Sequence, residues 1–228
     1  MNLRIDILTL FPKMFDGVFS ESIIKKAVDR SLIELHTHNI RDYTLDKHKR
    51  VDDYPFGGGA GMVMMIEPIA RCIAHLKSER RYDSVLFMAP DGKTFTQSKA
   101  NQLSLYQNII ILCGHYKGVD ERVRELLVTE DISIGDYVLS GGEIAAMAVV
   151  DAIARVIPGV LNDESSALTD SYQNGLLSPP VYTRPADYQG HKIPDILLSG
   201  HEKNISEWRF EQQLERTKTK RPDLMGEE

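Results

Sequence analysis

The chain has 228 residues, enough to bury a core without metal or disulfide staples, as one large domain or as a medium domain with an appendage. With 42% hydrophobic and 26% charged residues it has the make-up of an ordinary soluble protein, and a formal net charge of −6 argues against coating nucleic acid through bulk electrostatics. Any RNA contact has to come from local basic patches, and two distant cysteines, Cys72 and Cys113, in no ligand spacing fit a reducing cytoplasm and no structural metal.

Residues 3–10 alternate and then run apolar, as a buried strand does, and the opening is too short and too interrupted by Arg4 and Asp6 for a secretory leader. Ser20 is expected to cap a helix whose Ile23, Ile24, Ala27 and Val28 form one stripe. Residues 32–40 alternate cleanly, with Leu32, Glu34, His36 and His38 on one face and Ile33, Leu35, Thr37 and Asn39 on the other. His36 and His38 are read as sheet surface rather than as metal ligands. Pro68 after Glu67 marks a helix start leading into residues 69–77, and Thr96 is expected to cap the next helix toward Tyr106.

Short apolar runs at 84–89 and 108–113, bounded by turn residues, suit central strands covered on both faces. Strands alternating with helices predict an α/β domain with a mostly parallel sheet and flanking helices. Residues 144–157 are the most hydrophobic helix candidate, with Asp151 and Arg155 at the i,i+4 spacing of an ion pair, and Pro158 and Gly159 end it. A helix this apolar has to be buried by the sheet or by another subunit. No apolar run reaches the length that spans a bilayer.

Composition then turns polar over 162–175, which reads as a mobile interdomain linker between a domain at 1–161 and a smaller helical C-terminal domain at 176–228. In the latter, Asn204 with Glu207 reads as a capping box for a long amphipathic helix that Trp208 anchors. That helix runs into Arg216, Lys218, Lys220 and Arg221.

Three glycine-bearing loops stand out: GGGAG at 57–61, CGHYKGVDER at 113–122 and SIGDYVLSGGE at 133–143. Loops leaving the carboxyl ends of parallel strands are where α/β proteins bind ligands, and glycine lets backbone approach a flat ring closely. Any one of these glycines serves a turn as readily as a ligand. Two dense clusters beside an apolar helix favour a nucleotide-cofactor pocket. No G-x-G-x-x-G follows the first strand and no G-K-[ST] P-loop occurs, which disfavours dinucleotides and triphosphates.

The runs DDYPFGGGAGMVM, CGHYKGVDER, SIGDYVLSGGE, ARVIPGV, GLLSPPVYTRP and LLSGHEKNISEWR, in this order over nearly the whole chain, resemble the bacterial tRNA (guanine-N1)-methyltransferase (TrmD) family of the SPOUT class. The resemblance implies S-adenosylmethionine as methyl donor, a deep trefoil knot in the α/β domain and an obligate homodimer. It also implies a C-terminal domain that grips tRNA. The reaction it implies methylates N1 of the guanine just 3′ of the anticodon, position 37 of tRNA. Such a reaction needs a base for the N1 proton, a donor for charge developing on O6, and a methyl held in line.

By position in the matching motifs, Asp170 is the base and Arg155 assists it, with the linker ordering over the cofactor of the other subunit. Read without the resemblance, Asp170 is a solvated loop carboxylate and Arg155 the partner of Asp151. The same motifs assign the cofactor to Pro90, Gly114, Tyr116, Ile134, Gly135, Tyr137, Leu139, Gly141 and Gly142. Lys117 stands where many members carry Glu, and Ser178 where some carry Asp. Two basic patches are candidate phosphate contacts: Arg41, Lys47, Lys49 and Arg50 around His48, and Arg209, Arg216, Lys218, Lys220 and Arg221. Magnesium enters only as an assistant through the RNA or the family's active site; no carboxylate cluster demands it. The rival readings are ribose 2′-O methylation, a non-catalytic tRNA-binding module, and a cofactor-binding protein with a small substrate.

Overall fold

The apolar run that follows Asn2 forms strand β1 (Leu3–Thr9), and the alternating run forms β2 (Ile33–Asn39), parallel to it. The computed structural model describes residues 2–161 and 169–226, which fall in two compact units, Met1–Asn162 and Asp163–Glu228. In the first unit β5 (Ser84–Thr94), β6 (Asn108–Cys113) and β7 (Glu130–Ser133) complete a five-stranded sheet of order β2-β1-β6-β5-β7. Every neighbouring pair in it is parallel. A two-residue antiparallel ladder, β3 (Asp52–Asp53) with β4 (Val63–Met64), stands apart and frames the first glycine loop.

Helices cover both faces, which is why the central strands are apolar without alternation. On one face Ile5, Ile7, Leu86 and Ile111 pack with α2 (Ser22–Asp29), α4 (Gln97–Leu103) and α6 (Glu143–Val156). On the other, Leu8, Val85, Ile110 and Leu112 pack with α3 (Ile66–Glu79) and Val123 of α5 (Glu121–Leu127). The apolar helix α6 is buried through Ala146, Val149, Val150, Ile153 and Ala154. Burial of each Val or Ile there contributes roughly 1.5–3 kcal/mol. Thr96 caps α4 as expected, accepting from Lys99 N at 3.3 Å.

The cap expected at Ser20 is not formed. Residues of the one-turn helix α1 (Asp16–Phe19) use the Ser20 N–H to close on Asp16 O at 3.2 Å. That holds Ser20 away from the extended backbone an N-cap needs, and Glu21 takes the position without a side-chain bond. The Asn204–Glu207 box is also corrected. The terminal helix, Glu202–Lys220, begins earlier, with His201 at its N-cap, so Asn204 lies inside the first turn.

A buried acid ties the sheet edge. Asp6 is fully buried and accepts from Arg4 at 2.7 and 2.9 Å, from the Tyr82 hydroxyl at 2.7 Å and from His38 Nε2 at 2.7 Å. His38 is therefore a partner of a core carboxylate rather than plain sheet surface. Burial pushes the Asp6 carboxyl up, but the bonds from His38, Arg4 and Tyr82 outweigh it and hold its pKa well below the usual range. A depressed carboxylate stabilises the fold above its unfolded pKa of about 3.9 and ceases to as pH falls through the folded value. Asp6→Asn is expected to cost about 2 kcal/mol in urea unfolding at pH 7, with the gap to wild type narrowing below about pH 4.

In the second unit a short hairpin, β8 (Asp187–Tyr188) and β9 (His191–Lys192), precedes the terminal helix. Of the stretch expected to be a linker, residues 162–168 lie outside the described residues. Residues 169–175 form turns, with Tyr172 N on Leu176 O at 2.7 Å. The helix holds this segment through buried Thr217, whose Oγ1 accepts from Leu177 N at 2.9 Å, and through Arg221 over the Tyr172 ring at 5.8 Å. No helix among the described residues is long and apolar enough to cross a membrane.

Candidate functional site

A cavity of about 310 Å³ opens at the carboxyl ends of β5, β6 and β7, where the sheet's own geometry leaves backbone groups for a ligand. Its first wall comes from an irregularity in β5. Pairing with β7 shifts between Met88 and Lys93, so the residues between them leave the ladder, and Pro90, which has no N–H to donate, lines the cavity. Gly92 backs directly onto β7, where a Cβ would stand 2.5 Å from Ile132 N.

The second wall is made from the two glycine loops, which are joined to each other. Gly142 N donates to Gly114 O at 2.9 Å, and His115 bridges to Gly141 in an isolated antiparallel contact. A Cβ on Gly142 would lie 2.8 Å from Cys113 Cα, and one on Gly141 would enter the His115 ring and lie 2.5 Å from Glu143 Oε2. Both positions need glycine for close approach. Tyr116 holds the left-handed conformation, φ 62°, at the rim, a strained choice for an aromatic residue of the kind that clusters at ligand sites. Lys117 N donates to Met62 O at 3.0 Å and its side chain lies against Gly61. Thus the GGGAG loop adjoins the mouth.

All nine residues expected to hold a cofactor line this one cavity: Pro90, Gly114, Tyr116, Ile134, Gly135, Tyr137, Leu139, Gly141 and Gly142. Lys117 lines it too. Arg155 does not; it sits half-buried in the last turn of α6. Asp151 is exposed and outside the described ion pairs, so the expected i,i+4 pair with Arg155 is not formed. Asp170 belongs to the second unit, half-buried in the turn before Ser171.

Three linked residues of the site, Thr9, His115 and Glu143, were given no role from the sequence. Glu143, the first residue of α6, is fully buried behind the glycine loops. Its Oε1 accepts from Thr9 Oγ1 at 2.6 Å and its Oε2 lies 2.9 Å from His115 Nε2. The sequence signals were its place at the end of the SIGDYVLSGGE run and an acid opening an otherwise apolar helix. Cys113 beside it is pushed well above the ordinary thiol range, by burial first and by the Glu143 charge second, so it stays protonated and is no nucleophile at neutral pH.

The basic patches are partly self-neutralised. Lys49 pairs with Asp42 at 3.0 Å, Arg50 grips Asp46 at 3.0 and 2.7 Å, and Arg221 grips Asp223 at 2.8 and 2.6 Å. Arg41 instead reaches the cavity rim, 3.4 Å from Tyr116 OH. Lys47, Arg209, Lys218 and Lys220 are exposed. Among the described residues no group of three or more His, Cys, Asp or Glu is placed to hold a metal ion. The walls are mostly glycine backbone and aromatic or aliphatic side chains, with His115, Lys117, Ser133 and Ser140 among them, which fits a flat heterocycle whose edge meets polar groups.

Comparison with known proteins gives one answer. The family model described as tRNA (Guanine-1)-methyltransferase TrmD matches residues 3–227. The chain is 64% identical to tRNA (guanine-N(1)-)-methyltransferase of Bacteroides thetaiotaomicron, covering 98% of this chain and 99% of that one. It is 60% identical to the protein of the same name from Flavobacterium johnsoniae, covering 99% and 100%. Its fold is similar to the crystal structure of tRNA (m1G37) methyltransferase from Aquifex aeolicus, with TM-score 0.80 and 39% identity over 99% of this chain and 96% of that one.

Proposed function

The chain belongs to the tRNA (guanine-1)-methyltransferase family and is a tRNA (guanine-N1)-methyltransferase; from that premise we propose that it methylates position 37, 3′ of the anticodon, with S-adenosylmethionine held in the glycine-walled cavity. One observation carries the cofactor assignment: the nine residues picked out by the motifs, scattered over 53 positions of chain from Pro90 to Gly142, converge on a single cavity. The cavity lining suits such a group: glycine backbone at Gly114, Gly135, Gly141 and Gly142 lies beside the apolar side chains of Phe87, Ile134 and Leu139.

S-adenosylmethionine, when bound, supplies a methyl group on a sulfonium sulfur. The remaining work falls to side chains. Asp170 accepts the N1 proton of guanine, which frees the nitrogen lone pair to bond the methyl carbon. The guanidinium of Arg155 stabilises negative charge that builds on O6 as the proton leaves. In the chemistry that this donor would supply, the carbon–sulfur bonding pair would stay with sulfur, which would leave as a neutral thioether.

In this reading residues 1–161 hold the cofactor and 176–228 grip tRNA in the cytoplasm. The family's deep trefoil knot and homodimer come with the assignment. Exposed Tyr137, Val138 and Ile144 beside the cavity form an apolar rim suited to cover by a second subunit, which would supply Asp170. Exposed Lys218 and Lys220 of the terminal helix suit tRNA phosphates. Incubating unmodified tRNA with methyl-labelled cofactor and mapping the label is expected to give N1-methylguanosine at position 37. Label on a ribose 2′ oxygen or on another nucleotide would overturn the assignment.

A further inference from the structure

Glu143 is a carboxylate with 0% exposure at the back of the cavity, and neither proton transfer nor cofactor packing has yet used it. An ionised carboxylate accepts hydrogen bonds and donates none. Thr9 Oγ1 therefore gives its proton to Oε1, and the same hydroxyl accepts from Phe11 N at 2.9 Å. Oε2 in turn requires a hydrogen on His115 Nε2, 2.9 Å away. The imidazole is also packed on the Phe11 ring, with centroids 4.7 Å apart, so its plane and its tautomer are both constrained. His115 lines the cavity, and with Nε2 committed only Nδ1 remains to meet a ligand.

We propose that Glu143 is a positioning residue: it locks His115 as the Nε2-protonated ring and staples the end of β1 to both glycine loops, presenting Nδ1 as an acceptor to a hydrogen-bond donor on the bound cofactor. The inference rests on the cofactor reading above. The chemistry restricts the donor to a hydroxyl, an ammonium or an exocyclic amine, all of which S-adenosylmethionine carries. The staple links residues 134 positions apart, Thr9 with Glu143, and acts where Gly141 has no room for a side chain. A carboxylate so deeply buried, with each oxygen claimed by a separate strand or loop, is costly to keep unless the arrangement it enforces is used.

The test uses the full-length protein and S-adenosylmethionine as the probe. Nitrogen-15 spectra of wild type are expected to show His115 protonated at Nε2. Glu143→Gln replaces one acceptor by an amide N–H and is expected to disturb that signature and to weaken cofactor binding about tenfold in calorimetry. KM for the cofactor should rise to match, while KM for tRNA stays within about twofold. Thr9→Val and His115→Phe, which keep the shape and remove one hydrogen-bonding group each, carry the test should Glu143→Gln not fold; each is expected to weaken cofactor binding at least threefold. Wild type that fails to bind S-adenosylmethionine overturns the cofactor reading. Wild type that binds, alongside folded variants that bind equally well or a wild-type His115 protonated at Nδ1 alone, overturns the positioning role and leaves that reading standing.

Discussion

Asp170→Ala is expected to lower the rate of methyl transfer by about 10³-fold while S-adenosylmethionine binds with nearly unchanged affinity. The reason is chemical. N1 of guanine is a weak nucleophile while it carries its proton, and removal of the base leaves water to take that proton. The cavity that would hold the cofactor is lined by residues from Phe87 to Ala145, none of which is altered by the substitution. Single-turnover rates with saturating tRNA, set beside calorimetric affinity, separate the two quantities. Asp170→Asn should behave alike, because an amide cannot accept the proton. A variant with near-normal single-turnover rate would remove Asp170 from the role of base.

Gly141→Ala is the second large effect. One methyl group at this position enters the His115 ring and approaches Glu143 Oε2 to 2.5 Å, so the His115–Gly141 bridge and the bond to Glu143 cannot both survive. Overpacking of a tight site costs about 1–3 kcal/mol, and a buried carboxylate deprived of a partner adds a similar amount. A total of about 2–6 kcal/mol is a large share of the ~5–15 kcal/mol that holds a typical domain. The expected result in urea or thermal unfolding is a strongly destabilised protein with cofactor binding lost. Gly17→Ala serves as the control, since a Cβ there meets nothing within 4 Å and Gly17 lies in a short helix. That variant should equal or slightly exceed wild type in stability.

Much of the sheet was readable from periodicity. Residues 108–113 form β6 with the bounds expected, and α6 falls within one residue of its apolar run. β7 was missed because Glu130 and Asp131 fill half of its four positions, which an edge strand tolerates and hydrophobic patterning does not register. The Ser20 and Asn204 caps failed for a different reason. Cap residues are common in turns of every kind, and only the backbone conformation tells which of them opens a helix. The cavity lining was legible as glycine clusters followed by family motifs. Thr9 with Glu143, and Asp6 with Tyr82, were not, since buried polar pairs leave no local pattern and join residues 134 and 76 positions apart. Asp170 and Arg155 likewise bear no local signature; they stand on the resemblance alone.

The stitched glycine loops bear on how affinity is apportioned between folding and binding. Ordering a flexible loop around a ligand forfeits conformational freedom and subtracts directly from affinity. Here the Gly142–Gly114 hydrogen bond, the His115–Gly141 bridge and the Glu143 contacts tie the wall together through bonds within the protein itself. That loss is taken once, when the chain folds, and is not charged again to each encounter. What a ligand gains from the wall it therefore keeps, and a molecule of the wrong outline meets a surface that does not rearrange to receive it.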